Sequence, residues 1–232
     1  MLSGITSGVT ATRASVPGAY VGTSGWSYPT WRAGFYPEKA RPADFLRLYS
    51  ERLPSVELNT SAYQLPSEER FSSWAEQVPQ DFRFAVRMPR LITHGSRLGL
   101  AGTFCERVRL LGENLGPVLV VLDRPRDDGF LTLLLGSLDP ELEYAFDFRH
   151  ESWADAEVPV RVNSLDGDAP FRYLRLREPP YDDEQLRGWA DRLRPLLDDG
   201  VRVYCYFKHE DEPTAPDYAR RLLELVSASS AI

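Results

Sequence analysis

Charged and strongly polar residues sit at alternate positions within otherwise apolar stretches: Glu57 and Asn59, Arg87, Asp147 and Arg149, Arg175 and Arg177, Tyr206 and Lys208. An arginine guanidinium is a planar fork that matches a carboxylate or a phosphate. These residue types could therefore capture a small anion through Arg87, Arg149, Arg175 and Lys208. Glu57 or Asp147 would orient them or act as base, and His150 or His209 would shuttle protons, since imidazole titrates near neutrality. The same charges could instead neutralise one another as internal ion pairs, Asp147 or Glu57 with Arg149 or Arg175, and hold no ligand at all. His150, His209 and His94 could likewise do no more than cap backbone groups.

Buried charge is costly unless it is paired or used, so the elements that aim these side chains decide their role. The opposite parity of the same stretches is apolar: Val56 and Leu58; Phe84, Val86 and Met88; Phe146 and Phe148; Leu174 and Leu176; Val203, Cys205 and Phe207. Side chains alternate across a strand, so each stretch predicts one greasy face and one ionic face. Eight strands are predicted: Ala19–Thr23, Val56–Asn59, Arg83–Met88, Val118–Asp123, Tyr144–Arg149, Val160–Leu165, Tyr173–Arg177 and Val201–Lys208. Helical spacing of apolar residues falls between most of them, over Arg41–Arg52, Ser67–Gln77, Phe104–Leu115, Phe130–Leu138, Asp183–Leu197 and Pro216–Val226. Alternating strands and helices imply right-handed crossovers and a parallel sheet. The expected fold is a single TIM-type (β/α)8 barrel over residues 19–232, preceded by a disordered tail over 1–18. Too few residues separate Arg149 from Val160 and Asp166 from Pro170 for ordinary parallel crossovers. The barrel is therefore expected to be degenerate between Trp153 and Phe171.

In such barrels functional residues come from the strand C-termini and the loops after them. That rule adds Trp26, Asn59, Tyr63, Trp153 and Tyr206 to the charged set as ligand-binding positions. Rim aromatics can stack on a sugar or a base, although core packing explains the same residues. A metal set of His94, His150 and His209 with Glu57 or Asp147 lacks close ligand spacing, and no metal or cofactor is expected. Gly22-Thr23-Ser24-Gly25 lacks the lysine and spacing of a phosphate loop and reads as a tight turn.

The chain has 232 residues, 43% of them hydrophobic and 26% charged, which is ordinary for a globular protein. A net charge of −7 argues against a general nucleic-acid surface, because phosphate affinity comes from Lys and Arg. A small anionic ligand is the expected partner, with phosphoester or glycoside hydrolysis as the first enzymatic class. The rival is a non-catalytic protein that recognises a nucleotide or a nucleic-acid end. Cys105 and Cys205 lie far apart and read as reduced thiols of a cytoplasmic protein. Oligomeric state is not legible, and no stretch is apolar enough to span a membrane.

Several strings are specific in type and order: VGTSGWSYPTWRAGFYP, VELNTSAYQLP, FRFAVRMPRLITH, FDFRHESW, YLRLRE and YFKHEDEPTAPDYARRLLEL. On these the chain, from about Val21 to Val226, resembles the domain of unknown function 72, or YecE-like, family. The resemblance implies a TIM-type barrel and brings no established activity with it. The chain departs from the family pattern at Asn59-Thr60-Ser61-Ala62-Tyr63, at Leu122-Asp123-Arg124-Pro125, at Arg177-Glu178, at Lys208-His209, and in a shortened stretch between Trp153 and Phe171.

Overall fold

The computed structural model of the chain describes residues 15–59, 64–208 and 212–228. Residues 1–14 of the expected tail, together with Tyr63 and His209, lie outside them, while residues 15–18 form the turn into the first strand. Each apolar stretch with an alternating polar face forms a strand: β1 (Ala19–Ser24), β2 (Ser55–Leu58), β3 (Arg83–Arg87), β5 (Tyr144–Phe148), β6 (Phe171–Leu176) and β7 (Arg202–Phe207). Between β3 and β5 runs β4 (Leu115–Leu122), apolar on both faces and buried almost throughout. The helices are α1 (Phe45–Ser50), α2 (Glu68–Ala75), α3 (Arg90–Thr93), α4 (Ala101–Val108), α5 (Asp128–Ser137), α6 (Asp183–Asp198) and α7 (Thr214–Ser227). Local chemistry sets their ends. Asp182 and Gln185 form a reciprocal capping box that starts α6, and Leu186, Ala190 and Leu193 then recur at helical spacing on its buried side. The short α3, which the apolar spacing did not predict, follows Pro89.

All pairings are parallel, in the order β5-β4-β3-β2-β1-β7-β6. Pairing of β1 with β7 curls the sheet into a nearly closed α/β barrel whose single seam lies between β5 and β6. At β1 the wall is tight. A Cβ on Gly22 would sit 1.8 Å from the Ser55 carbonyl oxygen, so only glycine fits.

The seam corrects one expectation: Val160–Leu165 is not a strand. It makes one isolated bridge, Arg161 to Phe146. Phe146 N–H donates to the Val160 carbonyl and Val162 N–H to that of Phe146, both at 2.9 Å. Asn163 then crosses to the other edge. Its N–H donates to the Tyr173 carbonyl at 2.9 Å, and its side chain brackets the backbone of Arg175, with Oδ1 accepting from N–H at 2.7 Å and Nδ2 donating to C=O at 3.3 Å. Asn163 has φ 65°, a left-handed conformation that asparagine tolerates better than most residues. One asparagine thus does locally what an eighth strand would do along its length. The reason is chain length: the link is too short for a helix and a full strand. Two arginines replace the missing packing. Arg161 donates to the carbonyls of Trp153, Ala154 and Ala156, and Arg172 to those of Leu165, Gly167, Ala169 and Phe171.

The core has two parts. Val56, Leu58, Phe84, Val86, Met88, Phe146, Leu174, Leu176, Val203, Cys205 and Phe207 pack outward against the helices. Ala85, Leu119, Val121, Ala145, Val160, Phe171, Tyr173, Tyr204 and Tyr206 fill the barrel. Across its N-terminal end Arg202 pairs with Glu143, at 2.9 Å for Nη1 to Oε2. Among the described residues no helix is long and apolar enough to cross a membrane.

Candidate anion site at the barrel mouth

The ionic faces do converge on the barrel axis. Glu57 from β2 is fully buried, and four neighbours donate to it. Ser24 Oγ (2.9 Å), Arg175 Nη2 (2.9 Å) and Asn59 Nδ2 (3.1 Å) reach Oε1, while Tyr173 OH (2.9 Å) reaches Oε2. Arg175, 3% exposed, extends its other terminal nitrogen to Asp147 Oδ2 at 2.7 Å. Arg149 completes the chain of charges from the solvent side, with Nη2 3.1 Å from the same oxygen. The order Glu57–Arg175–Asp147–Arg149 runs from the dry interior outward.

Burial alone would raise the Glu57 carboxyl. The Arg175 charge and the donated hydrogen bonds outweigh it, and the group lies below its ordinary value. Burial would lower Arg175, but Glu57, then Tyr173 and Asp147, raise it. Both groups stay ionised. Burial first, and the Glu57 charge second, push the Tyr173 hydroxyl well up, so it remains a donor. Three of the four donors meet Oε1 and one meets Oε2, and the carboxylate is fully buried. The internal ion pair foreseen as an alternative is present for Glu57, Arg175 and Asp147.

Above this plug the polar atoms are less well matched. Arg177, one inward step beyond Arg175, has a buried Nη1 without a hydrogen-bond partner among the described residues. Burial, and next the neighbouring Arg175 charge, lower its pKa. Asn59 Oδ1 is also buried without a partner there. Asp147 takes its three guanidinium contacts on Oδ2, which leaves Oδ1 without a hydrogen bond among the described residues. Arg87 shares the inward parity, as does the exposed Lys208. The sequence placed Arg177 on the polar face of its strand but not among the site residues. Its parity with Arg175 was the available signal.

The other site residues fall elsewhere. Tyr206 is fully buried within the barrel, its hydroxyl 2.6 Å from Ser55 Oγ. Trp153 is fully buried outside it, stacked on Phe148 at 5.0 Å with its indole N–H given to the Arg124 carbonyl at 2.7 Å. Trp26 packs edge-on against Trp74 at 5.6 Å, in a cleft of about 270 Å³ beside α1 and α2. His150 caps a turn, Nδ1 accepting from Ser152 N–H at 3.2 Å. His94 lies 2.7 Å from Asp123, which Arg90 also approaches at 3.4 Å. Among the described residues no group of three or more His, Cys, Asp or Glu is placed to hold a metal.

Comparison with known proteins agrees with this architecture. The model of the "Protein of unknown function DUF72" family matches residues 20–165 and 156–231. UPF0759 protein YecE of Escherichia coli K12 is 32% identical over 153 residues, covering 62% of this chain and 53% of YecE. UPF0759 protein YunF of Bacillus subtilis is 31% identical over 68 residues, 29% of this chain and 23% of YunF. The chain thus spans about half the length of YecE and less of YunF. Crystal structures of DUF72 family proteins share the fold. That from Thermotoga maritima has a TM-score of 0.68 at 23% identity, covering 90% of this chain and 98% of its own. That from Enterococcus faecalis has 0.70 at 15%, covering 90% and 95%. A family model that accounts for nearly all of the barrel places this chain in the DUF72 family.

Proposed function

We propose that the barrel mouth binds a small phosphorylated or carboxylated ligand, with Arg177 and Arg149 as its principal anion contacts and Arg87 and Lys208 at the rim. The observation that carries this reading is the buried Nη1 of Arg177, a cationic donor beside Arg175 with no acceptor among the described residues. A buried donor left unbonded costs about 1–3 kcal/mol, more for a charged group. An anion between Arg177 and Arg149 would remove that cost and offset the repulsion between the guanidiniums. Arg175 belongs to the foundation, because both of its terminal nitrogens are engaged. Should the bound molecule be hydrolysed, Asp147 is the base this reading favours, through its open Oδ1, because Glu57 is fully buried and held below its ordinary value.

Calorimetric titration with inorganic phosphate, simple phosphate esters and carboxylates tests the assignment. Arg177→Ala is expected to abolish binding while the fold is kept, and Arg149→Ala to weaken it. Unchanged affinity in folded Arg177→Ala, or no binding by the parent chain to any of these anions, overturns the proposal. We also read the protein as cytoplasmic, a reading that the two free, buried thiols support.

A further inference from the structure

We infer that the ligand of this mouth is a phosphate monoester that also carries a hydroxyl, a sugar or polyol phosphate rather than a bare anion. The inference rests on the anion reading above and adds its chemical class. Three buried atoms near Glu57 lack partners among the described residues, Arg175 Nε, Arg177 Nη1 and Asn59 Oδ1, and they are of opposite kinds. Arg177 Nη1 can only donate, and Asn59 Oδ1 can only accept. The orientation of the Asn59 amide is set by its neighbour, because Nδ2 donates to Glu57 Oε1 at 3.1 Å and the carbonyl oxygen must then face away. A carboxylate or a fully ionised phosphate ester without a hydroxyl offers acceptors alone and would leave Asn59 Oδ1 unbonded. A hydroxyl a few bonds from the anionic group satisfies Arg177 Nη1 and Asn59 Oδ1 at once.

Charge selects phosphate over carboxylate. Among the described residues Arg149, Arg175, Arg177 and Lys208 share the inward parity of their strands with two carboxylates, Glu57 and Asp147, while Asp123 is turned to His94 and Arg90. A phosphate monoester carries about −1.5 to −2 charge at neutral pH and balances that excess better than a single carboxylate. A site built to bond a substrate hydroxyl also discriminates sharply against the analogue that lacks it, because its own polar atom is left stranded.

The test compares glycerol 3-phosphate with propyl phosphate by titration calorimetry on the full chain. The parent is expected to bind glycerol 3-phosphate at least about tenfold more tightly. Asn59→Leu should erase that preference while leaving propyl phosphate affinity in place. Equal affinity of the parent for the two esters overturns the hydroxyl inference alone, and needs no variant to fold. A preference that survives in folded Asn59→Leu overturns the assignment to Asn59. If neither ester binds the parent, the anion reading itself falls, and this inference with it.

Discussion

Glu57→Gln isolates the charge at the centre of the barrel while keeping its shape. Removing one partner of a buried ion pair costs about 3–5 kcal/mol. Several features argue for the lower end. The amide carbonyl can still accept from Ser24, Asn59 and Arg175, and the Tyr173 hydroxyl can turn to accept from the new amide N–H. Arg175 also keeps Asp147 at 2.7 Å. A loss of about 3 kcal/mol, at roughly 2–4 °C per kcal/mol for a chain of this size, lowers Tm by about 6–12 °C. The pH dependence supplies a second signature. The Glu57 carboxyl lies below its ordinary value in the folded state, so its contribution is complete above the unfolded value of about 4.3 and is lost as pH falls through the folded value. Parent and variant should therefore differ by a constant margin from neutral pH down to about 5 and converge in acid. Scanning calorimetry or circular dichroism melts at stepped pH would measure this. A difference under about 2 °C at neutral pH, or a margin that does not narrow in acid, would refute an ionised, energetically coupled Glu57.

Three further outcomes follow from the wall and the seam. Asn163→Ala removes both side-chain bonds that bracket Arg175 and leaves alanine in a left-handed conformation, for an expected loss of about 2–3 kcal/mol in urea unfolding. Arg172→Leu strips the 165–171 turn of the guanidinium that collects its carbonyls, and hydrogen exchange there should accelerate while β2 and β3 stay protected. Gly22→Ala forces a methyl into the Ser55 carbonyl, and the variant should fail to accumulate as soluble protein at a cost above about 4 kcal/mol.

Strand parity was readable from the residues alone. An apolar set such as Val203, Cys205 and Phe207 has to leave water on one side, and the intervening residues are then forced to the other whatever the surroundings. This is why the inward placement of Glu57, Asp147 and Arg175 could be anticipated, and why α6 and α7 could be drawn close to their observed bounds. Trp153 and Tyr206 show the limit of that reading. Proximity to a strand end marks a candidate, but only packing tells whether its ring faces a mouth, the opposite layer or the barrel interior.

The place of the seam was legible, because the links between Arg149 and Phe171 are too short for ordinary crossovers, but the way it is built was out of reach for a different reason. Val160–Leu165 has the composition of a strand, yet a strand exists only where two neighbours leave it room and free hydrogen bonds, and those neighbours lie far away in sequence. The division of labour within the charged cluster was equally closed to inspection. Which carboxylate collects the most donors and which guanidinium nitrogens are left unbonded depends on differences of a few ångströms among four strands. Periodicity is a local property and survives in the linear order of residues; the pairing of charges is a contest among distant groups, and it takes the assembled barrel to settle it.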